Sequence, residues 1–301
     1  MKILPDFVRG SLIRIGREVF APKAVARREA LPSNDADVSL HMVVGHDMLL
    51  MGMLALRSLE FHTRCRWSPV IHDDGSFSTE DERILMRHFP DARLVRRAKA
   101  DKEVPEALAG FPACRQNRMK HHWFLKVFDT RHYAPNDRYI VLDSDIVFFR
   151  RPDAILRWVS EGSDSMWVME DDREKYSHPR GDLEAFLGKK MLPRANSGLD
   201  LVPKEAASLE LAEAFLERCA ATAPNYAFLE QTIFGLFASS WGKGGLLPRR
   251  EYEISWNALR GAGSVCRHYI GPAKNDALFV EGATTFWLQS LLKRWSSFSD
   301  E

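Results

Sequence analysis

Short apolar runs and longer amphipathic stretches alternate along the first half of the chain. Residues 38–45, 69–72 and 92–95 are mostly apolar runs of the length typical of buried strands. Residues 48–61 are apolar over most of a helical surface, and a second helix with an apolar face begins at Thr79. The order strand, helix, strand, helix, strand predicts a parallel sheet covered by helices on both faces.

Polar residues indicate where these helices begin. Asp47 is a candidate N-cap for the helix over 48–61, and Thr79 with Glu82 is a candidate capping pair for the next one. Residues 119–130 are predicted to form the helix that leads into a central strand at 139–142.

The second half is less regular. Strands are predicted at 165–169 and 199–202, and amphipathic helices at 204–221 and about 284–296. The sequence shows no internal repeat, no low-complexity segment and no linker between residues 100 and 280. It therefore predicts a basic arm over residues 1–35 and one domain over residues 36–301.

Composition and charge exclude some classes of function. Hydrophobic residues make up 45% of the 301 residues, which suits a globular domain with a sizeable core. Lys and Arg number 42 against 41 for Asp and Glu, so there is no basic excess and no nucleic-acid partner is expected. The four cysteines are far apart and form no Cys-x-x-Cys pair, so reduced thiols in a cytoplasmic protein are expected.

No apolar run approaches the length of a membrane span. Residues 1–30 combine Arg and Lys with Ile, Leu and Phe, which predicts a solvated arm or, alternatively, a helix on a membrane surface. The helix around Trp287, Leu288 and Leu292 is a second candidate for peripheral contact with the inner face of the membrane, although packing against the domain is the commoner outcome.

Two aspartates one residue apart follow the central strand. Asp143 and Asp145 come directly after the apolar run 139–142. Buried charge is costly unless it is paired or bound to a cation, so both carboxylates are expected at the open end of the strand, sharing a divalent cation. A simple strand-to-turn exit is the alternative. Ligands of open α/β sheets bind beyond the carboxyl ends of the strands, where Gly45 and Asp73 also lie, and this favours the cation site.

Three more polar groups follow downstream. They are Asn196-Ser197-Gly198, Glu230-Gln231, and His268-Tyr-Ile-Gly271-Pro-Ala-Lys274. Each alone has an ordinary explanation, namely a turn, a carboxylate at a helix N-terminus and a structural histidine. Imidazole suits transition metals, so two carboxylates with His268 indicate Mn²⁺, with Mg²⁺ as the alternative ion. Lys274 adds a point charge for a phosphate.

Together these groups resemble the retaining glycosyltransferases of the glycogenin and bacterial lipopolysaccharide galactosyltransferase type, nucleotide-diphospho-sugar transferases with the GT-A fold. The resemblance covers most of residues 38–276, with specific motifs in four or five short patches. It implies an α/β fold with a mixed, mainly parallel sheet and helices on both faces. It also implies metal-dependent transfer of a sugar from a UDP-sugar to a hydroxyl of a carbohydrate or glycolipid acceptor, with retention.

The resemblance assigns roles to matching residues. The Asp-x-Asp and later His that hold Mn²⁺ in the family match Asp143, Asp145 and His268, and the loop that closes over the phosphates matches Gly271 and Lys274. The basic residue that contacts the donor in the family matches Lys126, and the Asn that touches the donor sugar matches Asn196. The acidic residue and Gln beneath the reacting carbon match Glu230 and Gln231. Ser144 and Ser197 belong to the same motifs and are expected to contact the nucleotide sugar.

The first strand is expected to hold the nucleotide. Val44, Gly45 and His46 are expected near the base, and Asp73 near the ribose or base, although Asp73 also suits a plain turn. Two positions depart from the family pattern: Glu230 stands where the family has Asp, and Lys274 is followed by Asn-Asp in place of Pro-Trp. These departures affect the donor-sugar and acceptor contacts.

Two other functions fit parts of the pattern. A haloacid-dehalogenase-like phosphatase also has Asp-x-Asp after an apolar strand, with Asp143 as the nucleophile and Asp145 as the acid/base. That family begins its domain with this strand, whereas here about a hundred residues of α/β pattern come first. A non-catalytic binder of nucleotide sugars is the third candidate. Trp241 and Trp256 are candidates for an aromatic floor under an acceptor sugar.

Overall fold

Ten strands form two sheets in the computed structural model, which describes residues 6–26, 30–34, 37–254, 261 and 263–298. In chain order the strands are β1 (Ser39–Val44), β2 (Val70–Asp73), β3 (Arg93–Val95), β4 (Arg138–Leu142), β5 (Ile146–Phe148), β6 (Met166–Glu170), β7 (Ala195–Pro203), β8 (Gly244–Leu246), β9 (Tyr252–Ile254) and β10 (Cys266–His268).

The larger sheet has seven strands in the order β3-β2-β1-β4-β7-β6-β8. Neighbouring strands run parallel except at β7, which is antiparallel to both β4 and β6. This confirms the predicted mixed, mainly parallel sheet. The smaller sheet has the order β5-β10-β9 and begins where the chain leaves β4.

Helices cover both faces of the larger sheet, as predicted. They are α1 (Asp6–Ile15), α2 (Ala21–Val25), α3 (Leu49–Thr63), α4 (Thr79–His88), α5 (Arg97–Ala107), α6 (Pro112–Lys120), α7 (Leu125–Tyr133), α8 (Asp153–Ser160), α9 (Arg180–Leu187), α10 (Leu209–Cys219), α11 (Leu229–Trp241), α12 (Pro272–Asn275) and α13 (Thr284–Phe298). One core cluster lies on the face that carries α3, and a second lies on the face that carries α7 and α11.

Several helix starts differ from the predicted ones. Asp47 lies in a 3-10 turn, and Met48 stands at the N-cap of α3 without a capping hydrogen bond from its side chain. The capping box of α4 is formed by Ser78 and Asp81, one residue before the predicted pair, because the extended backbone of Ser78 lets its hydroxyl accept from the Asp81 N–H. Helix α10 begins after Ser208, whose side chain caps it, so residues 204–208 precede the helix.

The helix predicted over residues 119–130 is two helices. The backbone of His121 is extended, with φ −139° and ψ 135°, and separates α6 from a 3-10 turn over His122–Phe124 that leads into α7. Apolar periodicity continues across the break because both helices pack on the same core cluster. Helical periodicity alone therefore did not locate the break.

The N-terminal helices pack on the domain. Ala21 and Ala24 are completely buried, and Phe20 stacks on Trp287 of α13 with ring centroids 4.7 Å apart. A Cβ on Gly16 would lie 2.3 Å from the backbone oxygen of Phe279, so this close approach needs glycine. Residues 16–25 therefore contribute to the core, while the domain boundary at residue 35 stays a prediction.

No helix within the described part of the chain has both the length and the apolar character needed to cross a membrane. Phe7 and Ile15 of α1, and Leu288 and Leu292 of α13, are exposed. The predicted peripheral contact with a membrane through the termini stays a prediction.

Candidate functional site

The candidate site lies at the carboxyl end of β4. Because β7 is antiparallel to β4, the beginning of β7 meets this end, and the Asp143 N–H donates to the Gly198 carbonyl at 2.7 Å. Strand β10 pairs with β5, and this register places His268 opposite Ile146, the residue that directly follows Asp145. Three segments that are far apart in sequence therefore meet at one edge.

Asp143, Asp145 and His268 form a possible cation site. One ligand atom from each lies within 4.8 Å of the others. His268 Nε2 is 3.1 Å from Asp145 Oδ1 and 3.5 Å from Asp143 Oδ2. The distances suit a divalent cation set among the three side chains with modest adjustment of rotamers.

A chain of hydrogen bonds fixes which His268 nitrogen faces the aspartates. Gln231 Nε2 donates to the Lys175 carbonyl at 2.6 Å, so its Oε1 accepts from Asn196 Nδ2 at 2.8 Å. Asn196 Oδ1 then accepts from the Gly198 N–H at 2.9 Å and contacts His268 Nδ1 at 3.0 Å. His268 Nδ1 is thus the donor, and in the neutral ring the Nε2 lone pair points at two carboxylate oxygens. This contact calls for a positive charge, supplied either by a cation between the three groups or by a proton on Nε2.

The predicted Asn-Ser-Gly patch has a steric reason for its glycine. A Cβ on Gly198 would lie 2.3 Å from His268 Nδ1 and 3.0 Å from Asn196 Oδ1. These distances are below any normal contact, so a larger residue would displace the ring. Asn196 holds the imidazole through its side chain, and Gly198 leaves room for it.

Lys274 closes the outer side of the site. The chain turns at Gly271, which has φ 54°, and returns Lys274 Nζ to within 3.0 Å of Asp145 Oδ2. Burial alone would raise the pKa of Asp145, but the attraction of His268 in its protonated form and of the Lys274 ammonium outweighs it and holds that pKa well below its usual range. The same carboxylate overcomes the effect of burial on the pKa of Lys274 and raises it.

Lys126, near the start of α7, connects the site to α11. Its Nζ lies 2.8 Å from Asp143 Oδ1, 3.1 Å from Glu230 Oε1 and 3.4 Å from Ser197 Oγ. Burial lowers the pKa of Lys126, but Asp143 and Glu230 outweigh it and raise that pKa. For Glu230 burial prevails over the attraction of Lys126, so its pKa is raised. The ammonium is therefore charged and shared by two carboxylates.

The structure adds residues that the sequence did not single out. Asn196 Nδ2 also donates to Asp171 Oδ2 at 3.2 Å, and Lys175 Nζ pairs with Asp171 Oδ1 at 2.7 Å. Asp171 follows β6, which runs parallel to β4, so it reaches the same edge. The rule that selected Asp143, a carboxylate directly after a predicted strand, would have found it.

The predicted nucleotide positions lie beside this cluster, and no hydrogen bond or ion pair among the described residues joins them to it. Val44 and Ser144 are buried against α3, near Gly52. Asp73 Oδ1 accepts from the N–H groups of Gly75 at 2.8 Å and Phe77 at 3.1 Å. These bonds form the plain turn that the sequence offered as the alternative to a nucleotide contact.

His46 and Gly45 belong to the loop after β1. The His46 N–H donates to Ser76 Oγ at 2.7 Å, and its ring contacts Asp81 Oδ2 at 2.8 Å. A Cβ on Gly45 would lie 2.2 Å from Asp74 Oδ2, so glycine allows the two loops to approach closely. Contact of this loop with a nucleotide stays a prediction.

An aromatic cluster stands beside the site. The rings of His121 and Trp123 stack with centroids 4.4 Å apart, and Tyr226 packs on His121 at 5.0 Å. Trp123 precedes Lys126 by three residues and Tyr226 precedes Glu230 by four, so each is about one helical turn from the site.

The tryptophans expected as an acceptor floor lie elsewhere. Trp241 Nε1 donates to the Asp164 carbonyl at 2.7 Å. Asp164 lies just before the start of β6, at the end of the strands opposite to the one that carries the site. The prediction for Trp241 is therefore wrong, because α11 carries it a whole helix length away from Glu230. Trp256 lies outside the described residues.

Solved structures of sugar transferases share this fold at low sequence identity. Mouse xyloside xylosyltransferase 1, in its apo form, superposes over 77% of this chain and 96% of its own, with a TM-score of 0.55 and 15% identity. The galactosyltransferase LgtC, in complex with donor and acceptor sugar analogues, covers 82% of this chain and 93% of its own, with a TM-score of 0.54 and 17% identity. The bifunctional glycosyltransferase WbbM, also in apo form, covers 87% of this chain and 52% of its own, with a TM-score of 0.53 and 16% identity. No family model and no curated protein sequence matches the chain.

These likenesses show that the chain has the GT-A fold, as predicted. The fold contradicts the phosphatase alternative. In a haloacid-dehalogenase-like domain the Asp-x-Asp strand comes first, whereas here β4 is the fourth strand in the chain and lies between β1 and β7.

Proposed function

We propose that this protein is a glycosyltransferase that transfers a sugar from a UDP-sugar to an acceptor hydroxyl with the help of a divalent cation. The observation that carries the proposal is the convergence of His268 Nε2 with the carboxylates of Asp143 and Asp145, at 3.5 and 3.1 Å, with Lys274 beside them. A nucleotide diphosphate is the class of ligand that needs both a cation and an ammonium at one sheet edge.

Mn²⁺ is the proposed ion, with Mg²⁺ as the alternative. Two carboxylate oxygens and an imidazole nitrogen form a donor set that Mn²⁺ accepts more readily than Mg²⁺ does. The bound ion would neutralise the charge that grows on the departing UDP. The protein's part is to hold the three ligands, and the Asn196 side chain orients the imidazole for this purpose.

Lys274 is proposed to bind the diphosphate. In the structure its ammonium pairs with Asp145 Oδ2. A cation on that carboxylate would compete with this ion pair, and Lys274 could then bind a phosphate oxygen. Gly271 gives the loop the backbone conformation that makes this approach possible.

The nucleotide is proposed to extend from the cation towards β1 and β2. Val44, Gly45 and His46 would contact the base through the loop after β1, with Ser144 near the phosphates. Asp73 is already used in a turn, so its contribution would be to shape the pocket wall near the ribose.

The donor sugar is proposed to lie on the opposite side, towards β7 and α11. Asn196, Ser197 and Gln231 are buried there; Asn196 donates to Gln231, and Ser197 donates to Glu230. Gln231 would line the face of the reacting carbon, and Glu230 would orient the sugar through its pairing with Lys126. Attack from the face that UDP leaves gives retention.

The acceptor is proposed to be a carbohydrate, free or lipid-linked, that packs on the aromatic cluster of His121, Trp123 and Tyr226. Sugar rings present C–H faces to aromatic side chains, and such pockets add a few polar groups for orientation. Trp123→Ala should weaken use of methyl glycoside acceptors at least tenfold and leave UDP-sugar hydrolysis within twofold of the unmodified protein. Equal loss of hydrolysis and transfer would contradict this assignment of the acceptor.

The proposal as a whole is tested by calorimetry of UDP binding. We expect Mn²⁺ to tighten UDP binding at least tenfold, and Asp143→Asn to remove that gain. UDP binding that is indifferent to Mn²⁺ would refute the transferase hypothesis. The non-catalytic binder predicts Mn²⁺–UDP binding without turnover of any UDP-sugar, so a screen of UDP-sugars for Mn²⁺-dependent hydrolysis separates the two.

We also propose that the protein works in the cytoplasm, with peripheral contact to the inner face of a membrane through α1 and α13. The exposed Phe7, Ile15, Leu288 and Leu292 support this proposal. Sedimentation with anionic vesicles would test it, and unchanged sedimentation on Phe7→Ser with Leu292→Ser would argue against it.

A further inference from the structure

A buried carboxyl group in β7 stands out among the polar side chains. The side chain of Asp200 is completely buried, and neither of its oxygens has a hydrogen-bond partner within the described part of the chain. The strand around it is apolar, with Leu199 before it and Leu201 and Val202 after it. A buried polar group without a partner lowers stability, so its presence in an apolar strand calls for a reason.

The position of Asp200 in the sheet identifies its neighbours. Side chains alternate along β7, and Leu199 and Leu201 belong to the core cluster on the α3 face. Val202 belongs to the cluster on the other face, together with residues of α7 and α11. Asp200 shares the face of Val202, so it lies between the sheet and the two helices that carry Lys126 and Glu230.

Asp200 is also close to the cation site. It pairs in register with Val141, two residues before Asp143, and two strand residues span about 7 Å. Burial raises the pKa of Asp200 well above its usual range, and the charges of Glu230 and Asp143 add to that effect, while Lys126 opposes it. The carboxyl is therefore neutral until the site gains positive charge. Asp200 therefore lies beneath the ammonium of Lys126, on the side away from the ligand edge.

We propose that Asp200 is a positioning residue that holds the Lys126 ammonium when Asp143 turns to a cation. Without a cation, Asp143 Oδ1 is the nearest partner of Lys126, at 2.8 Å. A divalent ion on Asp143 competes with this ion pair and repels the ammonium. Glu230 remains as one counter-charge. Asp200 would ionise as the cation and the displaced ammonium bring positive charge to the site, and it would then supply a second counter-charge on the side away from the ion.

This inference rests on the cation site of the proposed function and adds a residue to it. The proposal explains why the chain keeps an unpartnered carboxyl in its core. The group costs stability in the structure as it stands, and it contributes when the charge of the site changes.

The test is calorimetry of Mn²⁺ binding in the presence of UDP, together with thermal unfolding. Asp200→Asn and Asp200→Val should each weaken Mn²⁺ binding about tenfold, or about 1.4 kcal/mol. Asp200→Val should also raise the melting temperature by about 2 °C or more, because an unpartnered polar group is removed. Val202→Ala, on the same face, is the control. It should lower the melting temperature and leave Mn²⁺ affinity within twofold.

A second variant separates positioning from a direct effect on the ion. In a Lys126→Met background, Asp200→Asn should change Mn²⁺ affinity by less than about twofold, because the group it holds is gone. A tenfold effect that persists in this background overturns the positioning role, as does unchanged Mn²⁺ affinity in Asp200→Asn alone. Absence of Mn²⁺ binding by the unmodified protein overturns the proposed function and this inference together.

Discussion

Replacing Gly198 with Ala tests the steric basis of the cation site. The added Cβ would lie 2.3 Å from His268 Nδ1 and 2.6 Å from Cε1, where ordinary contacts begin at about 3.4 Å. The ring must therefore move by about 1 Å, whereas metal–ligand distances tolerate only about 0.2 Å. The movement also breaks the hydrogen bond from His268 to Asn196 that orients the imidazole.

From this geometry we expect Gly198→Ala to weaken Mn²⁺ binding by about 10- to 100-fold, the usual effect of losing the group that orients a ligand. That range corresponds to about 1.4–2.7 kcal/mol of binding free energy. Overpacking should lower the free energy of unfolding by about 1–3 kcal/mol as well. The assay is calorimetry of Mn²⁺ binding below the unfolding temperature of the variant.

Gly235→Ala is the matched control. Its Cβ would lie 2.9 Å from Met191 Cε and 3.0 Å from Tyr176 Cε1, so it crowds the core without touching a proposed ligand. We expect it to lower stability and leave Mn²⁺ affinity unchanged. Mn²⁺ affinity in Gly198→Ala equal to that of the control would show that His268 does not depend on this glycine, and the reasoning would fail.

Three further predictions concern the rest of the fold. Burial, and after it nearby positive charge, lowers the pKa of His72 to about 3. Burial and the neighbouring His72, to which it is hydrogen-bonded, lower the pKa of His41 as well. Both rings therefore stay neutral in the folded protein at pH values where they take up protons in the unfolded chain. The contribution of these neutral rings to the free energy of unfolding is thus fully present above about pH 6.5 and decreases below it. Measured by urea unfolding, the free energy of unfolding should fall by about 1.4 kcal/mol per histidine from pH 7.5 to 5.5. His72→Gln should remove about half of that decrease. Arg118→Met leaves the buried Asp129 unpaired and should cost about 3–5 kcal/mol in the same assay, whereas Arg83→Met, at an exposed pair, should cost under about 1 kcal/mol. Phe20→Ala should lower the free energy of unfolding by about 2 kcal/mol through lost burial and lost stacking on Trp287. An effect of Phe20→Ala no larger than that of Leu12→Ala, at an exposed position, would contradict packing of the N-terminal helices on the domain.

Local patterns predicted most of the secondary structure. The apolar runs over 38–45, 69–72 and 139–142 each coincide with a strand to within one residue, because a strand buried on both faces needs apolar residues along most of its length. The break at His121 and the start of α10 were missed, since tertiary packing and capping set them. The first and last residues of a helix depend on single side chains, whereas the existence of a strand depends on a whole run of apolar residues.

The chemistry at the carboxyl end of β4 was also readable from the sequence. Asp143 and Asp145 end an apolar strand, and the cost of burying charge directs them to an open edge whatever the rest of the fold does. The order of the motifs that include His268 and Lys274 added the family resemblance. All four side chains lie together in the structure.

Tertiary structure alone decided how these residues are connected. The antiparallel insertion of β7 sets Asn196 against His268, and the chain of hydrogen bonds from Lys175 through Gln231 fixes which nitrogen faces the carboxylates. The same insertion buries Asp200 beneath Lys126, a pair 74 residues apart in the sequence. Residue type and spacing determine what chemistry is available. Hydrogen-bond direction and burial depend on strand order, and strand order is a property of the folded chain.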